Sequence, residues 1–287
     1  MTNRNYGEKP QVIELYKSYC ECNNISFKID DSVKSYDDTT LFCPAGMQQF
    51  KDKFKNPDNT SIANSQSCIR LQDLNEIGDG SHLLYFNMLG LFSFGEMTIQ
   101  ETIHFWMRFF NDILKVSIDY VTIHPEKYDS WKYFYSDYLN LEIRYDSECI
   151  WGDGELGGYC TEFYKNGIEI GNIVNTSGQF IDVGFGLERI ESILGNPVKS
   201  STETLKETIY KIIESGYKPG NQKQEYVLRK LLRQLYKSGE TIEHQFFVDE
   251  VNRQSKITSR YLKIKDKHPD KTKEWWYETH GIDLSLI

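Results

Sequence analysis

No apolar run in this chain reaches the length of a membrane span, and the opening residues, MTNRNYGEKPQ, hold no apolar core of the kind a secretion signal needs. The expectation is a cytoplasmic chain with no membrane partner. There is no C-x-x-C pair. The six cysteines stand at positions 20, 22, 43, 68, 149 and 160, and Cys20 and Cys22 lack a second Cys or His pair to complete a zinc site. Reduced thiols and no protein-held metal are therefore expected. Internal repeats and low-complexity segments are missing too, which excludes solenoids. The glycine-bearing stretch Ile181–Ile190, IDVGFGLERI, has the spacing of neither G-x-G-x-x-G nor G-x-x-x-x-G-K-[ST], so it is not read as a Rossmann or P-loop turn.

What is present is a core-forming composition. The chain has 287 residues with 14% aromatics, 19 of them Tyr, enough for one large domain or a large and a small one without disulfide staples. The net charge of −9 argues against non-specific binding to nucleic acid or anionic membrane. The charge is uneven, however. Residues 201–287 hold 16 Lys+Arg and 13 Asp+Glu, leaving 17 and 29 to the first 200 residues. An acidic body with a basic tail suited to an anionic partner is one reading, and chance clustering is the other.

Periodicity sets the coarse layout. QVIELYKSYCE reads as a first helix, and TIQETIHFWMRFFNDIL as a strong one, with Thr98 and Glu101 as a capping box and Ile99, Ile103, Trp106, Phe110 and Ile113 on one face. A short strand is expected around Thr40 to Cys43, and VSIDYVTIH reads as another. CTEFYKNGIEIGNIVN gives two strands around a Lys-Asn-Gly turn, and QFIDVGF a further strand. Beyond residue 198 the pattern is helical, with Gly-ended segments TLKETIYKIIESG and EYVLRKLLRQLYKSG. The expected fold class is α+β: a mostly antiparallel sheet flanked by helices, followed by a small helical domain, with the boundary between about Pro197 and Thr204.

Two arginines stand out. In IDVGFGLERI the glycines serve either a tight turn or the close approach of a ligand to backbone, and Arg189 would present a planar donor fork, free for phosphate, near a helix start. In NSQSCIRLQDLNEIG, Arg70 is either half of a surface ion pair or a phosphate-holding strand-end arginine, with Phe86 on the returning strand as core or as a base-stacking ring.

Taken in order, DDTTLFCPAGMQQFKDKF, NSQSCIRLQDLNEIG, FNMLGLFSFG, GIEIGNIV and IDVGFGLERI resemble the successive blocks of the alanyl-tRNA synthetases, a class II aminoacyl-tRNA synthetase family, over about residues 10–195. KPGNQKQEYVLRKLLRQ and WWYETHGIDLSL resemble blocks of the family's tRNA-contacting region. The resemblance implies a class II adenylate-forming domain over 1–198 and a helical domain for the tRNA acceptor stem over 199–287, in a short homologue with neither the editing domain nor the C-terminal domain. It implies ATP and Mg²⁺ as cofactors, with the metal's ligands unassigned, and alanine or another small amino acid as substrate.

Carried over by position, Arg70 would meet the α-phosphate and the substrate carboxylate, Phe86 would stack on adenine beside Met88, and Arg189 would hold the ATP phosphates with His82 as a phosphate neighbour. Trp151, Asn172, Val174 and Gly184 would wall the amino-acid pocket, and Asp182 would pair with the substrate ammonium. Cys160 would lie at the pocket edge, either there or as a packing thiol. Asn221, Arg229, Arg233 and Glu278 would contact tRNA, Glu278 standing where the family has Asp. Three departures are notable: Gly171 replaces the family's Trp before Asn172, Asn175-Thr176 replaces Phe-Met, and Ser81 replaces an Arg before His82. The first two are expected to enlarge or polarise the pocket, and the third to remove a phosphate contact. Two other functions stay open: adenylation with a carrier-protein thiol or small molecule as acceptor, and a catalytically dead tRNA- or partner-binding paralogue. A monomer and a homodimer are equally compatible with the sequence.

Overall fold

The computed structural model describes residues 11–152, 157–176 and 180–284. Its elements run α1 (Val12–Cys22), β1 (Ser26–Asp30), α2 (Lys51–Lys55), β2 (Ser61–Ile69), β3 (Tyr85–Phe94), α3 (Ile99–Arg108), β4 (Tyr120–Ile123), α4 (Pro125–Trp131), β5 (Glu142–Tyr145) and β6 (Ile150–Gly152). They continue with β7 (Gly157–Lys165), β8 (Ile168–Thr176), β9 (Phe180–Gly186), α5 (Leu187–Ile193), α6 (Ser201–Glu214), α7 (Lys223–Lys237), α8 (Gln245–Ile264) and α9 (Lys273–His280). The chain divides between Val198 and Lys199 into two compact units.

In the first unit the described strands form one sheet in the order β1-β2-β3-β9-β8-β7-β4-β5, with β6 paired to β7. The β1–β2 and β4–β5 pairs are parallel and the others antiparallel, so the α+β expectation holds. The β7–β8 hairpin turns at Asn166 and Gly167, with φ of +54° and +77°; both central residues are left-handed, as a two-residue hairpin turn demands.

Alternation along the strands gives the sheet two unlike faces. Leu89 and Leu91 of β3, Ile173 of β8, and Ile181, Val183 and Phe185 of β9 join the main core under α1, α3 and α5. Its centre is Trp106, stacked between Tyr16 at 4.9 Å and Phe185 at 4.1 Å. The Tyr16 hydroxyl donates to the Gly90 carbonyl at 2.9 Å, which fastens α1 to the middle of the sheet. The even-numbered positions of β3 and β9 point the other way. There Phe92, Phe94 and Phe180 pack with Met47, Phe50 and Phe54, while Phe86, Met88, Asp182, Gly184 and Gly186 are left to line a cavity.

Three local expectations need correction. Thr40–Cys43 is no strand: only an isolated bridge, Lys34 to Phe42, forms there, because the segment is held by side-chain turns such as Ser35 to Thr40. The strand in VSIDYVTIH is confined to Tyr120–Ile123. The capping box of Thr98 and Glu101 is present and α3 buries Ile99, Ile103 and Trp106, but Ile113 is 37% exposed. The helix widens into a π-helical turn over Phe109–Leu114, which rotates Ile113 away from the face that a 3.6-residue period assigns it.

The second unit is built from α6 to α9. Ser200 and Glu203 form a capping box that starts α6. Leu205, Ile209 and Ile212 of α6, Leu228, Leu231, Leu232 and Leu235 of α7, Phe247 of α8 and Trp276 of α9 are buried.

Candidate active site

On the face of the sheet opposite the main core lies a cavity of about 570 Å³, within the usual range for a small-molecule site. Arg70, His82, Phe86, Met88, Trp151, Asn172, Val174, Asp182, Gly184 and Arg189 all line it. The ten positions singled out in the first unit therefore converge, although they come from segments more than a hundred residues apart.

Arg70 follows the last residue of β2. Its Nε donates to the Pro44 carbonyl at 3.0 Å, and its guanidinium lies 5.1 Å from the centroid of the Phe86 ring. The surface-ion-pair reading of Arg70 is thereby replaced by a guanidinium aimed by a backbone carbonyl and steadied on a ring. Phe86 and Met88 share a strand face, two residues apart.

Arg189 is the third residue of α5, and its fork is not free. Nη1 donates to the Glu169 carbonyl at 2.8 Å and meets the Glu169 carboxylate at 3.3 Å, while Nε reaches the Ser81 carbonyl at 3.5 Å. The cation balances a cluster of acids that the sequence reading left unassigned: Asp73, Glu162, Glu169 and Glu188 also line the cavity. Burial pushes the Asp73 carboxyl up, against the pull of Arg70, and pushes the Glu162 carboxyl up as well.

Glu188 has a distinct task. Its carboxylate accepts from the Asn87 backbone N–H at 3.0 and 3.1 Å and from the Asn87 amide at 3.0 Å. One side chain thus clamps the start of α5 to β3 between Phe86 and Met88. The signal was available, since Glu188 sits beside Arg189 in the GLER run, but no spacing rule names its partner.

His82 is in the cavity wall, with its ring turned to acids: Nδ1 lies 2.5 Å from Asp79 and Nε2 3.4 Å from Glu76. A phosphate contact by His82 competes with both.

The glycines act through space rather than through backbone conformation. Neither Gly184 nor Gly186 has a positive φ. A Cβ on Gly184 would lie 2.8 Å from Met88 Sδ, whereas one on Gly186 would make ordinary contacts of 3.4 Å with Arg189. Gly171 is tighter still: its Cβ would come within 2.4 Å of the Gly184 carbonyl oxygen. The glycine where a tryptophan was expected therefore fits a closer approach of β8 to β9. Asp182 sits across from Val174 on one side and Phe92 on the other, on the cavity face of β9. Trp151 packs against both Phe92's cluster and that of Cys149, Cys160 and Val174. Cys160 is buried in that second cluster, as a packing position would be.

In the second unit, Arg229 Nη1 donates to the Asn221 side chain and Nη2 to the Pro219 carbonyl at 3.2 Å, so Asn221 and Arg229 are brought together. Burial lowers the Arg229 pKa, and the charges of Arg253 and Arg233 lower it further against the pull of Glu250; this cluster of three guanidiniums thus includes an acid, Glu250, which pairs with Arg253 at 3.1 Å. Glu278 is exposed on α9 and makes no hydrogen bond or ion pair with that cluster among the described residues. Sequence reading missed the stripe that α8 adds. Arg253, Lys256, Arg260 and Lys263 recur at three- and four-residue steps, so they lie along one side of the helix.

Residues 29–192 match the family described as tRNA synthetases class II (A), more than half of the chain. This chain belongs to that family. An alanine–tRNA ligase of Desulfitobacterium hafniense (strain Y51) is 29% identical over 273 residues, which cover 69% of this chain and 31% of the relative. Another, from Francisella tularensis subsp. tularensis (strain WY96-3418), is 29% identical over 302 residues, covering 78% of this chain and 35% of the relative. This class II chain thus spans about a third of the length of the curated relatives it matches. Among solved structures it matches a pyrrolysyl-tRNA synthetase of Desulfitobacterium hafniense with a TM-score of 0.43 and 13% identity, over 70% of this chain and 74% of that one. None of the described helices is long and apolar enough to cross a membrane.

Proposed function

We propose that this chain activates alanine, or another small amino acid, with ATP and transfers the aminoacyl group to the 3′ end of a tRNA. The observation that carries the reading is the meeting in one cavity of two arginines, a ring held against one of them, and the Asp182 carboxylate two residues from Gly184, where a Cβ would meet Met88. The names of the relatives support alanine as the amino acid.

In this scheme no side chain acts as nucleophile. A substrate carboxylate oxygen attacks the α-phosphorus, the bond from that phosphorus to the bridging oxygen breaks, and pyrophosphate leaves with the electron pair. The protein contributes position and charge. Arg70 draws the substrate carboxylate and the α-phosphate together, and Phe86 carries adenine on the face not held by Arg70. Arg189 exchanges Glu169 and the Ser81 carbonyl for the outer phosphates. Asp182 holds the substrate ammonium. The cavity's carboxylate donors suit a hard dication, and Asp73 and Glu169 would hold Mg²⁺, which supplies neutralisation of phosphate charge. The guanidinium cluster of Arg229, Arg233 and Arg253 and the α8 stripe serve the acceptor-stem backbone, with Asn221 and Glu278 as the base-contacting pair.

The test is exchange of pyrophosphate into ATP against a panel of alanine, glycine, serine and small non-protein amino acids, then charging of total tRNA with the best substrate. Asp182→Asn removes a charge-assisted contact and is expected to lower kcat/KM for the amino acid by about 10- to 100-fold. Near-wild-type exchange in that variant overturns the site assignment. Activation without charging of tRNA redirects the acceptor to a carrier-protein thiol or a small molecule, and no activation with retained tRNA binding would indicate a dead paralogue.

A further inference from the structure

At the edge of the cavity, where Glu162 lines it, β4, β6 and β7 bring together three groups that the proposed chemistry does not use. Cys149 precedes β6, Cys160 lies on β7, and Glu162 follows it two residues later on the same strand face. Both thiols are buried, at 0% and 1% exposure. The two Sγ atoms and a Glu162 carboxylate oxygen lie within 4.8 Å of one another. The Cys160 N–H donates to the Cys149 carbonyl at 2.9 Å, so the backbone fixes this spacing.

Packing alone is a poor account of the cluster. Two thiols beside Val174 and Trp151 make an ordinary apolar patch, but a half-buried carboxylate does not belong in one. Among the described residues Glu162 has no Lys or Arg partner. What it has instead is orientation. Its Oε2 accepts from the Tyr164 hydroxyl at 2.8 Å and from Thr122 at 3.2 Å, while Oε1 faces the Cys160 sulfur at 4.0 Å. Thr122 also contacts the Cys149 sulfur at 2.8 Å. Hydroxyls that pin one carboxylate oxygen and leave the other toward two sulfurs are the surroundings that aim ligands at a metal.

We propose that Cys149, Cys160 and Glu162 bind a thiophilic divalent cation, Zn²⁺ by preference. Two thiolates and a carboxylate select zinc over the oxygen-seeking Mg²⁺. Zn–S bonds of about 2.3 Å put tetrahedral sulfurs about 3.8 Å apart, so the cluster contracts by an ångström or less on loading. Three protein ligands leave a fourth position for water. Binding converts two thiols to thiolates and releases about two protons per metal near neutral pH. The proposal rests on coordination chemistry and stands apart from the amino-acid-activating reading.

The test uses the full chain, stripped with chelator and titrated with Co²⁺ and then Zn²⁺. One equivalent of Co²⁺ is expected to give a thiolate-to-cobalt charge-transfer band with the intense visible bands of a tetrahedral ion, and Zn²⁺ is expected to abolish them. Cys160→Ser should lose the charge-transfer band, and Glu162→Gln should weaken binding by about tenfold or more. Cys22→Ser, at an exposed thiol, and Cys43→Ser, in the other close thiol pair with Cys68, should leave it intact. A readout that needs no variant is proton release: one equivalent of Zn²⁺ should release about two protons into weakly buffered solution near neutral pH. The proposal is overturned by absence of the band at one equivalent, by a band that survives Cys160→Ser, by a band lost in Cys43→Ser, or by zinc loading that releases no protons.

Discussion

Gly184 of β9 and Gly171 of β8 lie one register step apart, Gly184 opposite Asn172 and Gly171 opposite Phe185, and a methyl group added to each is expected to have different consequences. At Gly184 the new Cβ meets Met88 Sδ at 2.8 Å and Cε at 3.4 Å. Sulfur must withdraw by about an ångström to regain a carbon contact of about 3.5–4.0 Å. A thioether on three rotatable bonds does so readily, so the stability cost should stay below about 1.5 kcal/mol, or about 5 °C in Tm. The displaced Met88 and the new methyl both enter the cavity. A misfit of one methylene in a tight apolar pocket is worth about 1–3 kcal/mol, so kcat/KM for alanine in pyrophosphate exchange should fall about 10- to 200-fold. Glycine, shorter by that methyl, should lose less, and the glycine-to-alanine preference should rise. At Gly171 the obstacle is backbone. The Cβ would stand 2.4 Å from the Gly184 carbonyl oxygen and 2.6 Å from the Phe185 Cα, so β9 itself must move. Gly171→Ala should cost about 3 kcal/mol or more, visible as insolubility or a drop of roughly 10 °C. An unchanged alanine kcat/KM in Gly184→Ala removes Gly184 from the substrate pocket. An unchanged Tm in Gly171→Ala contradicts the strand spacing itself.

Glu188→Ala leaves the Asn87 N–H without its charged acceptor and should cost about 1–3 kcal/mol of stability, with a raised KM for ATP as Phe86 loosens; thermal melts and ATP titration of exchange check both, and a KM unchanged at lowered Tm limits Glu188 to stability. The Asp79 carboxyl is held below the usual carboxylate range by the backbone N–H of His82, then by its ring, then by the Ser81 N–H. A depressed folded-state pKa gives stability that is present above the ordinary value of about 3.9 and lost as pH falls through the folded-state value. The Tm gap between the native chain and Asp79→Ala should therefore shrink below about pH 4, and a gap that widens there reverses the sign; because Asp79 is exposed, the gap should be small. Lys256→Ala with Lys263→Ala, both exposed on α8, should weaken binding of acceptor-stem RNA and lower the slope of log affinity against log salt by about one for each phosphate that a lysine neutralised, measured by fluorescence anisotropy across a salt series.

Where sequence and structure agree, a local rule and the tertiary environment ask for the same residue. Asn166-Gly167 is a hairpin turn because two successive left-handed residues tolerate little else. Thr98 and Glu101 satisfy each other within one turn of chain. Phe86 and Met88 share a face because a strand alternates. The failures arise where a non-local contact decides. Ile113 has the helical spacing of a core residue, but the π-helical turn after Arg108 changes the pitch, and nothing in FFNDIL announces that. Arg189 was legible as a cavity arginine through its GLER run, yet its engagement with Glu169 depends on β8 lying beside α5, which sequence distance hides. The same holds most strongly for the thiols. Cys149 and Cys160 lack the two-residue spacing by which zinc ligands are found in a sequence, because a β6–β7 pairing rather than a tight loop joins them, and Glu162 reaches them only through strand alternation. A ligand set assembled across strands leaves no short motif, so an expectation of no metal drawn from cysteine spacing tests only for sites built on a single loop.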